Sequence, residues 1–236
     1  MQNKIQILST RPVGEKLINE AAKNDITIDE ISFIKTEEIV DAAIESQIKK
    51  LSGQDITAVF TSMNAVDAVA KFIKNKPEWK IFCIGNTTKE LVKEFFGEES
   101  IKGFAKNAEL LSKKIIDNSS IKNVNFFCGD KRRDDLPGNL VKNGISVDEV
   151  IVYKTIETPT ALAKEYNGIL FFSPSAVNSF FLKNSISKKT KIFAIGTTTA
   201  KAIEHFSQHP VIIAETSSKE NLVKLVINHF SKSNII

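Results

Sequence analysis

The sequence predicts an α/β protein built on parallel sheets and organised as two related lobes. Three observations carry this expectation. Short, almost wholly apolar runs alternate with amphipathic segments along the chain, the pattern of strands covered on both faces. Strand–helix alternation of this kind joins parallel strands by right-handed crossovers. The chain also repeats itself: KIFCIGNTTKELVKEFF from Lys80 has a twin in KIFAIGTTTAKAIEHF from Lys191.

In chain order, strands are expected at 5–8 (IQIL), 27–34 (TIDEISFI), 56–61 (ITAVFT), 80–84 (KIFCI) and 124–128 (VNFFC). They continue at 146–153 (SVDEVIVY), 168–172 (GILFF), 191–195 (KIFAI) and 210–214 (PVIIA). Apolar residues at helical spacing mark 37–51, 64–75, 89–96, 108–117, 175–184, 199–206 and 219–230. Ser173 followed by Pro174 is a helix start, with serine as the N-cap and proline in the first turn.

The repeat has two registers. At an offset of 111 (191 − 80), FTSMNAV at 60–66 falls on FFSPSAV at 171–177. At an offset of 119 (145 − 26), ITIDEISFIKT at 26–36 falls on ISVDEVIVYKT at 145–155, and 5–8 falls on 124–127. Two homologous halves therefore meet near the polar stretch DNSSIK at 117–122. A duplicated α/β unit suggests two lobes with a cleft between them, and ligands prefer such clefts and the carboxyl ends of parallel strands.

Composition narrows the function classes. The 236 residues suffice for one large domain or two small ones, and 42% hydrophobic with 25% charged residues is ordinary for a soluble protein. No apolar run approaches the roughly 20 residues that span a bilayer. The opening MQNKIQILSTRP has only the short, mostly apolar stretch IQIL before polar residues resume, unlike a secretory leader, so a cytoplasmic protein without membrane partners is expected. The net charge is +4, with no basic tract of five residues, which argues against a nucleic-acid partner. Cys83 and Cys128 lie inside apolar strands and read as small buried hydrophobes.

The polar residues gather at the strand ends. In Gly-Asn-Thr-Thr (85–88) and Gly-Thr-Thr-Thr (196–199), glycine permits a sharp turn. The threonines either cap the following helix or present hydroxyls beside its free N–H groups, where a carboxylate or phosphate is favoured. Capping accounts for one threonine in each run, not for two or three. Ser62 and the pair Ser173 and Ser175 occupy further strand ends. No G-x-S-x-G elbow, G-x-G-x-x-G or P-loop is present. His205 and His209 are spaced for one helix face, but Pro210 closes that helix and no acidic third ligand stands nearby. No metal site is expected.

Tyr153 ends the strand VDEVIVY. A phenol there offers a proton or hydrogen bond, or simply sits at the rim with its hydroxyl in water. In CGDKRRDDLPGNL (128–140), Lys131, Arg132 and Arg133 stand where a helix dipole disfavours cations. An anionic ligand and pairing with Asp130, Asp134 and Asp135 explain them equally well.

Together these segments resemble the uroporphyrinogen-III synthase family. STRP (9–12), FTSMNAV (60–66), IGNTT (84–88), CGDKRR…LP (128–137), VYKT (152–155), FFSPSAV (171–177) and KIFAIGTTTA (191–200) follow the family's order and spacing over nearly the whole chain. The resemblance implies two flavodoxin- or Rossmann-like lobes with parallel sheets, joined by a pair of linker strands. Lobe 1 would comprise 1–34 and 157–236, lobe 2 would comprise 40–150, and the linkers would be 35–39 and 151–156. The tandem halves would then have exchanged their first βαβ pieces. The implied reaction cyclises hydroxymethylbilane, a linear tetrapyrrole, to uroporphyrinogen III, with inversion of the last pyrrole ring and loss of water. It uses no cofactor and no metal, and the enzyme is a monomer.

By resemblance, Tyr153 assists departure of the hydroxyl. Ser62, Thr88, Ser175, Thr198 and Thr199 match binding hydroxyls, and Arg133 and Lys191 match basic residues that could pair with substrate carboxylates. Asn64 and Thr197 depart from the family pattern, which has a polar residue such as arginine and a proline there. The substrate closes unaided without inversion, so the implied role of the protein is to hold the chain in the conformation that inverts. A non-catalytic anion-binding or regulatory protein of the same fold is the rival reading. Tyr153 and both threonine runs favour an enzyme.

Overall fold

The computed structural model describes residues 4–232. The outermost parts of the expected lobe 1, residues 1–3 and 233–236, lie outside the described residues. The elements are β1 (Ile5–Ser9), α1 (Glu15–Ala22), β2 (Ile26–Glu30), β3 (Ile34–Glu38), α2 (Ala42–Ser52), β4 (Thr57–Phe60) and α3 (Met63–Ala70). Next come β5 (Lys80–Ile84), α4 (Asn86–Phe96), a 3₁₀ turn (Glu98–Ser100), β6 (Ile101–Ala105), α5 (Ala108–Ile116), β7 (Asn123–Gly129) and α6 (Asp135–Lys142). The last are β8 (Ser146–Glu157), β9 (Gly168–Phe171), α7 (Pro174–Phe181), β10 (Lys191–Ala194), α8 (Thr197–Glu204), β11 (Val211–Ile213) and α9 (Lys219–Lys232).

The chain divides into two compact units, one of residues 1–35 with 156–236 and one of residues 36–155. Unit 1 holds a five-stranded sheet in the order β11-β10-β9-β1-β2, and every pair in it is parallel. Its two faces follow the period-2 alternation of each strand. Ile7, Leu170 and Phe193 face one way, into a core with Leu17 and Ala21 of α1 and Leu222, Val223 and Val226 of α9. Leu8, Ile169, Phe171, Ile192 and Ala194 face the other way, under α7 and α8.

Unit 2 holds a six-stranded sheet in the order β3-β8-β7-β4-β5-β6. The pairs β7–β8, β4–β7, β4–β5 and β5–β6 are parallel. Ala58, Phe60, Ile81, Cys83 and Phe127 pack under α2, α3 and α4, around the fully buried Trp79. Val59, Phe82, Val124, Phe126 and Cys128 pack under α5 and α6. Cys83 and Cys128 thus lie in opposite cores, both free, and burial pushes their thiols up to about 11 and about 12.

The sequence repeat is visible as topology. The run β9-α7-β10-α8 in unit 1 matches β4-α3-β5-α4 in unit 2. Each sheet is completed by a βαβ piece from the other half of the chain: β1-α1-β2 sits beside β9, and β7-α6-β8 sits beside β4. Chain direction across each sheet therefore reverses between β1 and β9, and between β7 and β4. In such sheets the crevice at the carboxyl ends of those two strands is the preferred ligand position.

Several elements differ from expectation. The run expected as one strand at 27–34 is broken after Glu30, because Phe33 turns fully into the core under α7 and its carbonyl accepts the Thr158 N–H (2.9 Å). Glu37 and Glu38, expected in a helix, belong to β3, and α2 begins only after Asp41, whose carboxylate caps Ala43 N–H. Strand β6 and helix α1 were not among the expected elements. β6 carries Gly103 in place of an apolar residue, since a side chain there would strike the Phe82 ring.

Candidate functional site

In unit 2 the polar groups gather where β4 and β7 end. Ser62 is the N-cap of α3, its hydroxyl accepting the Asn64 N–H at 3.2 Å. Beyond β7, Asp130 donates its N–H to the Tyr153 carbonyl (3.1 Å) and accepts the Thr155 N–H on its carboxylate (2.8 Å). This clamp lies where the β7–β8 register slips: Cys128 faces Ile151, but Gly129 faces Tyr153. The extra residue in β8 is a bulge, and a bulge re-aims the side chain that follows it. Val150 and Val152 point into the core by ordinary alternation, and Tyr153, one residue on, packs against the same cluster.

Gly129 makes room for that ring. A Cβ there would stand 2.5 Å from Tyr153 Cε2 and 2.8 Å from its hydroxyl. Burial holds the Tyr153 phenol above its ordinary pKa, with the nearby Asp130 charge acting the same way and the Ser62 hydroxyl opposing it. The phenol is therefore a neutral donor at neutral pH. A cavity of about 390 Å³ beside it is lined by Thr36, Glu37, Glu38, Val40, Asn64 and Asp67 together with Tyr153.

The twin turns follow β5 and β10. The N-caps are Gly85 and Gly196, and no side chain caps either helix. This corrects the expectation that one threonine in each run caps. The threonines instead sit inside the first turn, with Thr88 and Thr199 at the third helical position, both buried, and Thr198 exposed at the second. The Thr199 hydroxyl has no hydrogen-bond partner among the described residues. Helices α4 and α8 thus begin with uncapped N–H groups beside hydroxyls, whereas α3 and α7 are closed by Ser62 and Ser173, the latter accepting the Ala176 N–H. Ser175, at the second position of α7, is half-buried at the same carboxyl edge of unit 1 as Thr198 and Thr199.

The basic residues divide differently. Arg132, not Arg133, is held by the protein: its guanidinium bridges Glu149 (2.6 and 2.7 Å) and also pairs with Asp134. Arg133 is exposed, with no ion pair among the described residues, just before α6. Lys191 begins β10, so it lies at the amino edge of its sheet, about 15 Å of strand away from Thr197–Thr199. Within unit 1 the structure does not bring Lys191 together with Ser175, Thr198 and Thr199. Of the histidines, His205 is the C-cap of α8, and His209 shares a hydrogen bond with Ser207 (2.6 Å). Among the described residues no cluster of His, Cys, Asp and Glu is placed to hold a metal ion.

Arg11 belongs to the segment STRP (9–12). It follows β1, opposite the end of β9, and its guanidinium lies over the Phe172 ring, 5.4 Å from the centroid.

Two parallel α/β units related by an internal repeat, each with hydroxyls beside an uncapped helix start at its carboxyl edge, define a duplicated α/β class of protein. The family model described as uroporphyrinogen-III synthase HemD matches residues 15–224, and the chain belongs to that family. The fold is also that of solved relatives. A uroporphyrinogen-III synthetase from Helicobacter pylori superposes with a TM-score of 0.66 at 16% identity, covering 95% of this chain and 99% of that one. A mutant uroporphyrinogen III synthase from Thermus thermophilus gives 0.63 at 15% identity, covering 97% and 99%.

Proposed function

We propose that the chain closes hydroxymethylbilane to uroporphyrinogen III through groups at the carboxyl edges of its two sheets. The observation that carries the reading is the aim of Tyr153. A bulge, a glycine and the Asp130 clamp hold a neutral phenol beside Ser62 at the point where β7 and β4 diverge. A neutral phenol can donate a hydrogen bond to the departing hydroxyl of the substrate and pass it a proton as the C–O bond breaks. Its high pKa makes it a weak acid, so most of its effect is orientation and stabilisation of the leaving oxygen.

The substrate bears carboxylates on every ring. The uncapped starts of α4 and α8 offer N–H donors and the favourable end of a helix dipole to such groups. Thr88 and Thr199 add buried hydroxyls, and Thr198 and Ser175 add accessible ones. The exposed Arg133 is a further carboxylate partner in this reading. Lys191 has no part in it, being at the far edge of its sheet. The protein's main contribution is to hold the flexible chain so that the last ring is inverted as it closes. A cytoplasmic monomer is part of the same reading, and light scattering on the purified chain tests the monomer.

The deciding assay supplies freshly made hydroxymethylbilane and resolves the type III and type I isomers of the product. Type III is expected in proportion to enzyme. Type I alone, at enzyme concentrations that bind substrate, would remove the reading.

A further inference from the structure

Unit 1 has a cation, Arg11, for which the described residues supply no ion-pair partner. Arg11 leaves the carboxyl end of β1, the strand next to β9 at the point where chain direction across this sheet reverses. The loop beneath it is tied down: the Thr10 N–H and hydroxyl both donate to the Leu170 carbonyl (3.1 and 2.8 Å), and the Ser9 hydroxyl donates to the Arg11 carbonyl. The guanidinium lies over Phe172, the residue just before the α7 N-cap. Stacking of this kind fixes the plane of an arginine while leaving its N–H edge open.

No carboxylate among the described residues pairs with Arg11. The acid at the end of β2, Glu30, instead accepts the Val13 and Gly14 N–H groups (2.6 and 3.3 Å) at the start of α1. The matching position in unit 2, by the 119-residue register, is Asp130, which holds backbone. The charge at residue 11 is therefore not demanded by the repeated fold. An exposed guanidinium, stacked on an aromatic ring at a sheet's preferred ligand position, has the geometry of a bidentate carboxylate receptor.

We propose that Arg11 binds one carboxylate of the linear tetrapyrrole and so fixes the substrate against unit 1. This rests on the functional reading above and adds a residue to it. Arg11 is a binding residue that takes no part in bond breaking.

The test compares Arg11→Gln and Arg11→Lys with wild type. Gln keeps most of the stem over Phe172 and removes the charge, whereas Lys keeps the charge and loses the fork. KM for hydroxymethylbilane should rise about tenfold in Arg11→Gln and less in Arg11→Lys, with kcat within about twofold in both. The gap should narrow with added salt. A binding arm needs no turnover: uroporphyrinogen III should raise the thermal midpoint of wild type more than that of Arg11→Gln. Unchanged KM and equal midpoint shifts overturn the proposal, as does a loss confined to kcat. A wild type that makes type III while Arg11→Gln behaves identically sinks only the Arg11 assignment. A wild type that makes type I alone sinks the functional reading, and the midpoint shifts then judge Arg11 by themselves.

Discussion

A half-buried phenol near a carboxylate gives up its proton late, and that sets the pH behaviour expected of Tyr153. Its pKa lies above the ordinary value near 10 because burial and Asp130 disfavour the phenolate more than Ser62 supports it. The donor form therefore persists across the neutral range, and any activity limb from its ionisation belongs above about pH 10. Tyr153→Phe should lower kcat by about 10²-fold with little change in KM, the size expected for loss of one positioned donor. A pH–rate profile of both forms checks this, and wild-type activity falling with a tyrosine-like limb near pH 8 would contradict it. Gly129→Ala tests the aim of the ring separately from its chemistry. The added methyl would stand 2.5 Å from Cε2, so the ring must shift. Stability should fall by about 1–3 kcal/mol. Activity should fall toward that of Tyr153→Phe although the phenol is retained. Urea unfolding and the isomer-resolving assay together read both effects.

The twin turns show how one motif is glycine for two reasons. Gly85 has φ of 81°, a left-handed conformation costly for any side chain, with open space around the missing Cβ. Gly196 is extended, and its added Cβ would meet only the Ser217 hydroxyl at 3.0 Å. Gly85→Ala should therefore cost about 1–2 kcal/mol, and Gly196→Ala clearly less, because the Ser217 hydroxyl, which donates to the Ile195 carbonyl, need give only slightly whereas a φ cannot give. Equal losses of thermal midpoint in the two variants would refute this. The same elements show what a single sequence can reveal. β5 and β10 were legible because they are short, apolar and buried on both faces, and Ser173 because a capping serine before proline is a local signal. β6 was not, since Gly103 dilutes its pattern at the sheet's last position. The break between β2 and β3 depends on Phe33 reaching a core built largely from residues 166–203, and the bulge that aims Tyr153 depends on how β7 pairs with β8. The hydroxyl-rich strand ends could be read locally, whereas the aim of Tyr153, the edge position of Lys191 and the stacking of Arg11 on Phe172 are products of tertiary pairing.

At the scale of the whole chain, the exchange of βαβ pieces has unequal consequences for the two units. Unit 2 is one uninterrupted segment, residues 36–155, whereas unit 1 is made of two pieces separated by all of unit 2. The strands β3 to β8, with both of their cores, are supplied entirely by residues 34–157. The C-terminal piece of unit 1 keeps β9, β10 and β11 but lacks β1, which lies between β9 and β2 in the sheet. Without β1, one edge of β9 loses its hydrogen-bond partners, and Leu170 and Phe193 lose Ile7, Leu17 and Ala21 from their shared core. An exposed apolar edge of that kind favours aggregation over folding. A fragment of residues 34–157 should therefore fold alone, with a cooperative urea transition and native-like circular dichroism. A fragment of residues 156–236 should not fold until it is joined to residues 1–35. A fusion of 1–35 to 156–236 through a short Gly/Ser linker between residues 35 and 156 should restore a cooperative transition, because those residues lie on the hydrogen-bonded neighbours β3 and β8. If 156–236 unfolds cooperatively by itself, β1 is not the keystone of that sheet. If 34–157 fails to fold, the cores of unit 2 depend on contacts beyond the segment that supplies them.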